Sequence, residues 1–103
     1  MIEKVVELKN GCHEYLTSGI NNMGDSISVF KDGNKYTDDG SAAFEFQCAG
    51  WDEEKYKKVC KSIAEWLFCE FENDEFFVTN RDEKEALTQI FQCQTAAAAM
   101  ICI

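Results

Sequence analysis

The chain of 103 residues is 46% hydrophobic and 13% aromatic, and it carries 19 acidic against 10 basic side chains, a net charge of −9. That length is one ordinary domain able to bury a core without staples, and the apolar content excludes a disordered chain. The charge opposes direct nucleic-acid binding, which needs Lys and Arg on phosphates. It allows an acidic surface that docks on a basic, nucleic-acid-binding partner, or solubility alone.

In chain order, the first signal is a hairpin. Residues 2–9 and 12–17 flank Asn10-Gly11, a pair suited to a two-residue hairpin turn. Val6 and Leu8 alternate with Glu7 and Lys9, the period of a strand with one buried face. Thr17 to Gly24 is polar and carries glycine, so it reads as a loop. Ile27 and Val29 then share one face with Phe30 on the other, and Asp32-Gly33-Asn34 turns the chain into Lys35-Tyr36-Thr37. Four short strands in succession predict an antiparallel meander, which needs a cover on one face.

The cover follows. Trp51 to Leu67 reads as a helix with Asp52 as its N-cap and Glu53 and Glu54 in the favourable first turn. Tyr56, Val59, Cys60, Ile63 and Leu67 form its apolar stripe. Lys57 and Lys58 follow Glu53 and Glu54 by four residues, the stabilising order for exposed pairs. Lys55, Lys57, Lys58 and Lys61 make a basic cluster that reads as a solvated face. A second hairpin is expected around Glu72-Asn73-Asp74-Glu75, then a last helix from Glu83 to about Met100 capped by Asp82. Its Thr95-Ala96-Ala97-Ala98-Ala99 tract favours helix and permits close packing. The expected architecture is a single α+β domain over residues 1–103. A small antiparallel sheet, the meander plus the later hairpin, is covered by two main helices.

Six cysteines, at 12, 48, 60, 69, 93 and 102, form no C-x-x-C and meet one histidine, His13. Zinc sites use four closely spaced ligands, so reduced core cysteines are expected instead. No apolar run approaches the ~18–20 residues of a membrane span. Met1-Ile2-Glu3-Lys4 lacks the start of a signal peptide, so a cytoplasmic protein is expected.

Asp38-Asp39-Gly40 is the one local pattern with chemical potential. Adjacent aspartates on an extended chain point to opposite faces and do not easily share an ion. A metal site would need to recruit Asp25 or Glu45 from elsewhere. The alternative assigns Asp39 to capping and Gly40 to a turn. Ser41 to Gly50 fits a strand through Phe44, Phe46 and Cys48, or a short helix ended by Gly50, and periodicity leaves both open.

Gly24, Asp25, Ile27, Val29, Tyr36, Thr37, Asp38, Asp39, Gly40 and Gly50 carry a resemblance to the small bacterial and phage family called domain of unknown function 1828. The specific part is Thr37-Asp38-Asp39-Gly40, and the chain departs from the family at Thr17-Ser18-Gly19, where a Thr-Pro-Phe segment is common. The resemblance implies a short helix after the Thr-Asp-Asp-Gly corner and a phage or mobile-element setting, with no activity to carry over.

No nucleophile–base pair, P-loop or dinucleotide fingerprint is present, so no catalysis and no cofactor are expected. The expectation is a viral-type acidic protein that binds and occludes a partner protein, such as an anti-CRISPR or anti-restriction inhibitor of a bacterial defence effector. Glu70, Glu72, Asp74, Glu75, Asp82, Glu83 and Glu85 form the candidate acidic surface. Two alternatives stand beside it. One is a metal-dependent hydrolase or nuclease using Asp38 and Asp39. The other is a homo-oligomeric accessory protein that pairs through its Ala-rich helix.

Overall fold

Alternation of apolar and polar residues builds the sheet, and residues 2–102 are described by the computed structural model. Strands β1 (Ile2–Glu7), β2 (His13–Ile20), β3 (Ser26–Asp32) and β4 (Lys35–Thr37) form the expected meander. Helices α1 (Ser41–Cys48) and α2 (Glu53–Trp66) follow, then β5 (Glu70–Glu72), β6 (Glu75–Thr79) and α3 (Glu83–Cys102). The later hairpin adds β6 beside β4, giving one antiparallel sheet in the order β1-β2-β3-β4-β6-β5.

The register places Tyr15 opposite Val29, Tyr36 opposite Val78 and Phe71 opposite Phe76. These side chains share one face and are buried beneath the helices with Phe46, Tyr56, Cys60, Ile90 and Cys93. Burial drives the Cys60 thiol up to about 12, and the neighbouring Cys69 sulfur, then burial, raise Cys93. Both buried thiols are held protonated and inert. No cysteine is disulfide-bonded.

β2 runs on to Ile20, so Thr17 to Ile20 is strand where composition suggested loop; only residues 21–25 turn. Tertiary contacts override the composition. Thr17 Oγ1 donates to the Ile27 carbonyl at 2.7 Å, and the ladder register shifts between Leu16 and Ile20. At Gly19 the strand comes so close to α3 that a Cβ would lie 2.7 Å from the Phe91 ring and force it to shift. The polar, glycine-bearing sequence therefore marks a close helix–strand approach.

Each helix end has an identifiable cause. Asp52 caps α2, accepting from Lys55 N, and Asp82 Oδ2 accepts from Glu85 N at 3.2 Å in the first turn of α3. At the end of α1, Gly50 takes φ 82° and its N–H reaches Gln47 O, while Trp51 N reaches Phe46 O. That is a Schellman ending, and its hydrophobic contact is the Phe46–Trp51 edge pair at 4.8 Å. α3 is tied to the sheet by Glu83 Oε1, which accepts from Tyr15 Oη at 2.8 Å and Tyr36 Oη at 3.3 Å. Gln94 Nε2 adds a bond to Ser28 O at 2.8 Å.

Candidate functional site

The Thr37–Gly40 corner joins β4 to α1. Asp38 is fully buried, and both its oxygens are taken by backbone donors. Oδ1 accepts from Gly40 N at 3.1 Å and Phe76 N at 2.9 Å, and Oδ2 accepts from Ala42 N at 3.0 Å. Asp38, rather than Asp39, thus supplies the cap of α1, and it also staples the corner to β6. Burial pushes its carboxyl up to about 6 against the pull of the three N–H bonds, with Glu75 adding to the rise. Asp39 turns the other way in a left-handed conformation (φ 54°), its N–H donating to Thr37 Oγ1 at 2.9 Å.

Asp39 lines a hollow of about 250 Å³ with Cys12, Asp32, Thr37 and Glu75. Desolvation and then Asp32 and Asp39 raise the Cys12 thiol, which disfavours the thiolate a nucleophile needs. Glu45 is buried and accepts from Asn22 N at 3.0 Å. Among the described residues, no three His, Cys, Asp or Glu side chains are arranged to hold a metal ion.

The seven acidic residues singled out by sequence divide between two sides of the sheet. Glu83 lies on the helix side with the two tyrosines and Lys31, Asp82 caps α3, and Glu85 is exposed in that helix's first turn. Asp74, in the β5–β6 turn, accepts from Tyr56 Oη at 3.1 Å. Glu70 and Glu72 flank inward-pointing Phe71 and so project from the opposite, helix-free face, where both are exposed. Glu75 shares that face, held by Lys35 Nζ at 2.6 Å and Thr37 Oγ1 at 3.0 Å.

The strand register adds residues that sequence reasoning had not connected. Glu14 pairs opposite Phe30, Asp32 opposite Lys35, and Thr37 opposite Phe77, all on the helix-free face. Ser28 Oγ donates to Glu14 Oε2 at 2.8 Å, and Lys35 lies over the Phe77 ring at 5.0 Å. Glu14, Asp32, Glu70, Glu72 and Glu75 thus surround Phe30 and Phe77, with Lys35 as their central cation. Alternation around Phe30 was a visible signal for part of this set; the pairing of β6 with β4 was not.

A second surface lies at the end of α2. Trp66 is 83% exposed and Phe68 77% exposed, although both are large and apolar. Phe68 adopts a left-handed backbone (φ 58°), and the Arg81 guanidinium donates to its carbonyl and to Gln89 Oε1. The stripe expected on α2 is split: Tyr56 and Cys60 enter the core, while Val59, Ile63 and Leu67 are only half-buried. Those three face Ala96 and Met100 of α3 across a groove of about 470 Å³. A small residue at Ala96 leaves that groove open where a larger side chain would fill it. No family model, curated protein or solved structure matches this chain.

Proposed function

We propose that this chain is a binding protein that uses its helix-free sheet face to occlude a basic, nucleic-acid-binding surface on a partner protein. The observation that carries this reading is the convergence of Glu14, Asp32, Glu70, Glu72 and Glu75 around two aromatic rings on one uncovered face. Carboxylates at strand spacing offer a basic groove the charge it otherwise meets in phosphates, and the rings supply the apolar contact that interfaces concentrate. The net charge of −9 would speed encounter with such a partner. The resemblance of Thr37–Gly40 to a bacterial and phage family favours a defence effector, of the CRISPR or restriction type, as the concrete target. A hydrolase reading gains no support at Asp38, whose oxygens are taken by backbone donors.

The test is displacement of DNA from candidate defence nucleases, followed by fluorescence anisotropy at low and high salt. The parent should displace DNA, with an affinity that falls steeply as salt rises. The combined variant Glu14→Gln, Glu70→Gln, Glu72→Gln should weaken displacement by roughly tenfold or more. Equal inhibition by parent and variant would overturn the reading.

A further inference from the structure

We infer that the Trp66 face of α2 is covered by a second copy of this chain, packed about a two-fold axis near Ser62. Three features of the face are complementary to the face itself.

The first is shape. Trp66 stands as a ridge between two hollows that also share Ser62. One, of about 470 Å³, runs toward α3 past Val59 and Ile63; the other, of about 460 Å³, opens toward Phe68. An antiparallel copy sets each ridge into the partner's hollow, and the small side chain at Ser62 lets the two helices approach at the axis. Such a contact is isologous, the same patch serving both subunits.

The second is charge. Lys58 borders the first hollow and Glu65 the second. They are seven residues apart, two helical turns, and so lie along nearly one line of α2. A two-fold axis near Ser62 brings Lys58 of each copy to Glu65 of the other, forming two ion pairs. Both side chains are exposed, and among the described residues neither has an ion-pair partner; of the two expected pairs on α2, Lys57–Glu53 forms at 2.7 Å and Lys58–Glu54 does not. A foreign acidic helix would satisfy Lys58 and set its own charge against Glu65. The Lys58 and Glu65 charges cancel, and repulsion between two chains of net charge −9 is largely screened beyond ~8 Å at physiological salt.

The third is apolar area. Two exposed aromatics per copy, at ~150–250 Å² each, approach the ~1,200 Å² at which specific interfaces begin once the flanking helix surface is included. Buried Trp side chains are also the anchors on which small interfaces depend. Because α2 covers one face of the sheet, this dimer leaves both acidic faces outward and gives the assembly two binding surfaces.

Sedimentation equilibrium across a concentration series of the full chain tests the inference. The mass should rise from 11.7 kDa toward twice that value. Trp66→Ala should weaken dimerisation by about tenfold or more. Lys58→Glu and Glu65→Lys should each weaken it by about tenfold, and the double reversal should return it to within about threefold of the parent. All three positions are exposed, so circular dichroism should show each variant folded. A parent that is monomeric at every concentration overturns the inference. So does a dimer that survives Trp66→Ala, or one that the folded double reversal fails to restore. A monomeric parent whose DNA displacement depends on Trp66 would assign the face to a foreign partner instead.

Discussion

Asp38 and Trp66 reverse the placement usual for their side-chain types. The carboxylate is fully buried with every oxygen partnered, while the indole stands 83% exposed on the end of a helix. A buried charge survives only where donors replace its water. At Asp38 those donors come from α1 and β6, so the side chain joins parts of the chain 38 residues apart. Trp66 stands largely clear of the chain's own packing. The first residue that looked like chemistry is a folding device, and the residue that looked like helix content is available surface.

Substitution at the two positions should separate them sharply. Asp38→Ala leaves three backbone donors, two of them buried, without their acceptor and should cost about 3–5 kcal/mol of stability by chemical denaturation. Trp66→Ala should change the unfolding free energy of the monomer by no more than about 0.5 kcal/mol. A mild Asp38→Ala would break the contrast.

The pH dependence of stability sharpens the same point. Because burial raises the folded carboxyl from 3.8 to about 6, the folded state holds a proton that the unfolded state has released. Asp38 therefore stabilises the fold fully below 3.8, and that contribution is lost as pH rises through about 6. The loss is about 3 kcal/mol, from the size of the shift. Denaturation midpoints measured across this window should fall more steeply with pH in the parent than in Asp38→Asn. Parallel slopes would remove the raised carboxyl from the account.

A smaller contrast divides the acidic residues. Glu83→Ala removes the acceptor shared by Tyr15 and Tyr36 and should cost about 1–2 kcal/mol in thermal or chemical unfolding. Glu70→Gln with Glu72→Gln should leave stability within about 0.5 kcal/mol, since both are exposed on an edge strand. If Glu83→Ala were equally silent, the tyrosine bonds would not anchor α3.

Much of the fold was legible locally. Asn10-Gly11 marked the first hairpin, Asp52 and Asp82 marked helix starts, and Ile27 and Val29 marked a buried strand face. The candidate surfaces were less legible. Asp74, Asp82 and Glu83 share the charge of Glu70 and Glu72, and composition gives no way to tell a cap or tyrosine acceptor from a free carboxylate. Val59 and Ile63 looked like core because helical period reports that a face is apolar, not that another element covers it.

By itself, then, the sequence determined most of the elements, because turn residues, caps and periodicity act over a few neighbouring positions, while those signals left Ser41 to Gly50 open between strand and helix. The tertiary structure alone decided that β6 joins β4 and that Asp38 caps α1 in place of Asp39. It also decided that Thr17 to Ile20 stays in the sheet and that Trp66 is left outside. Each of these depends on contacts between distant segments, where the geometry of packing outweighs local preference.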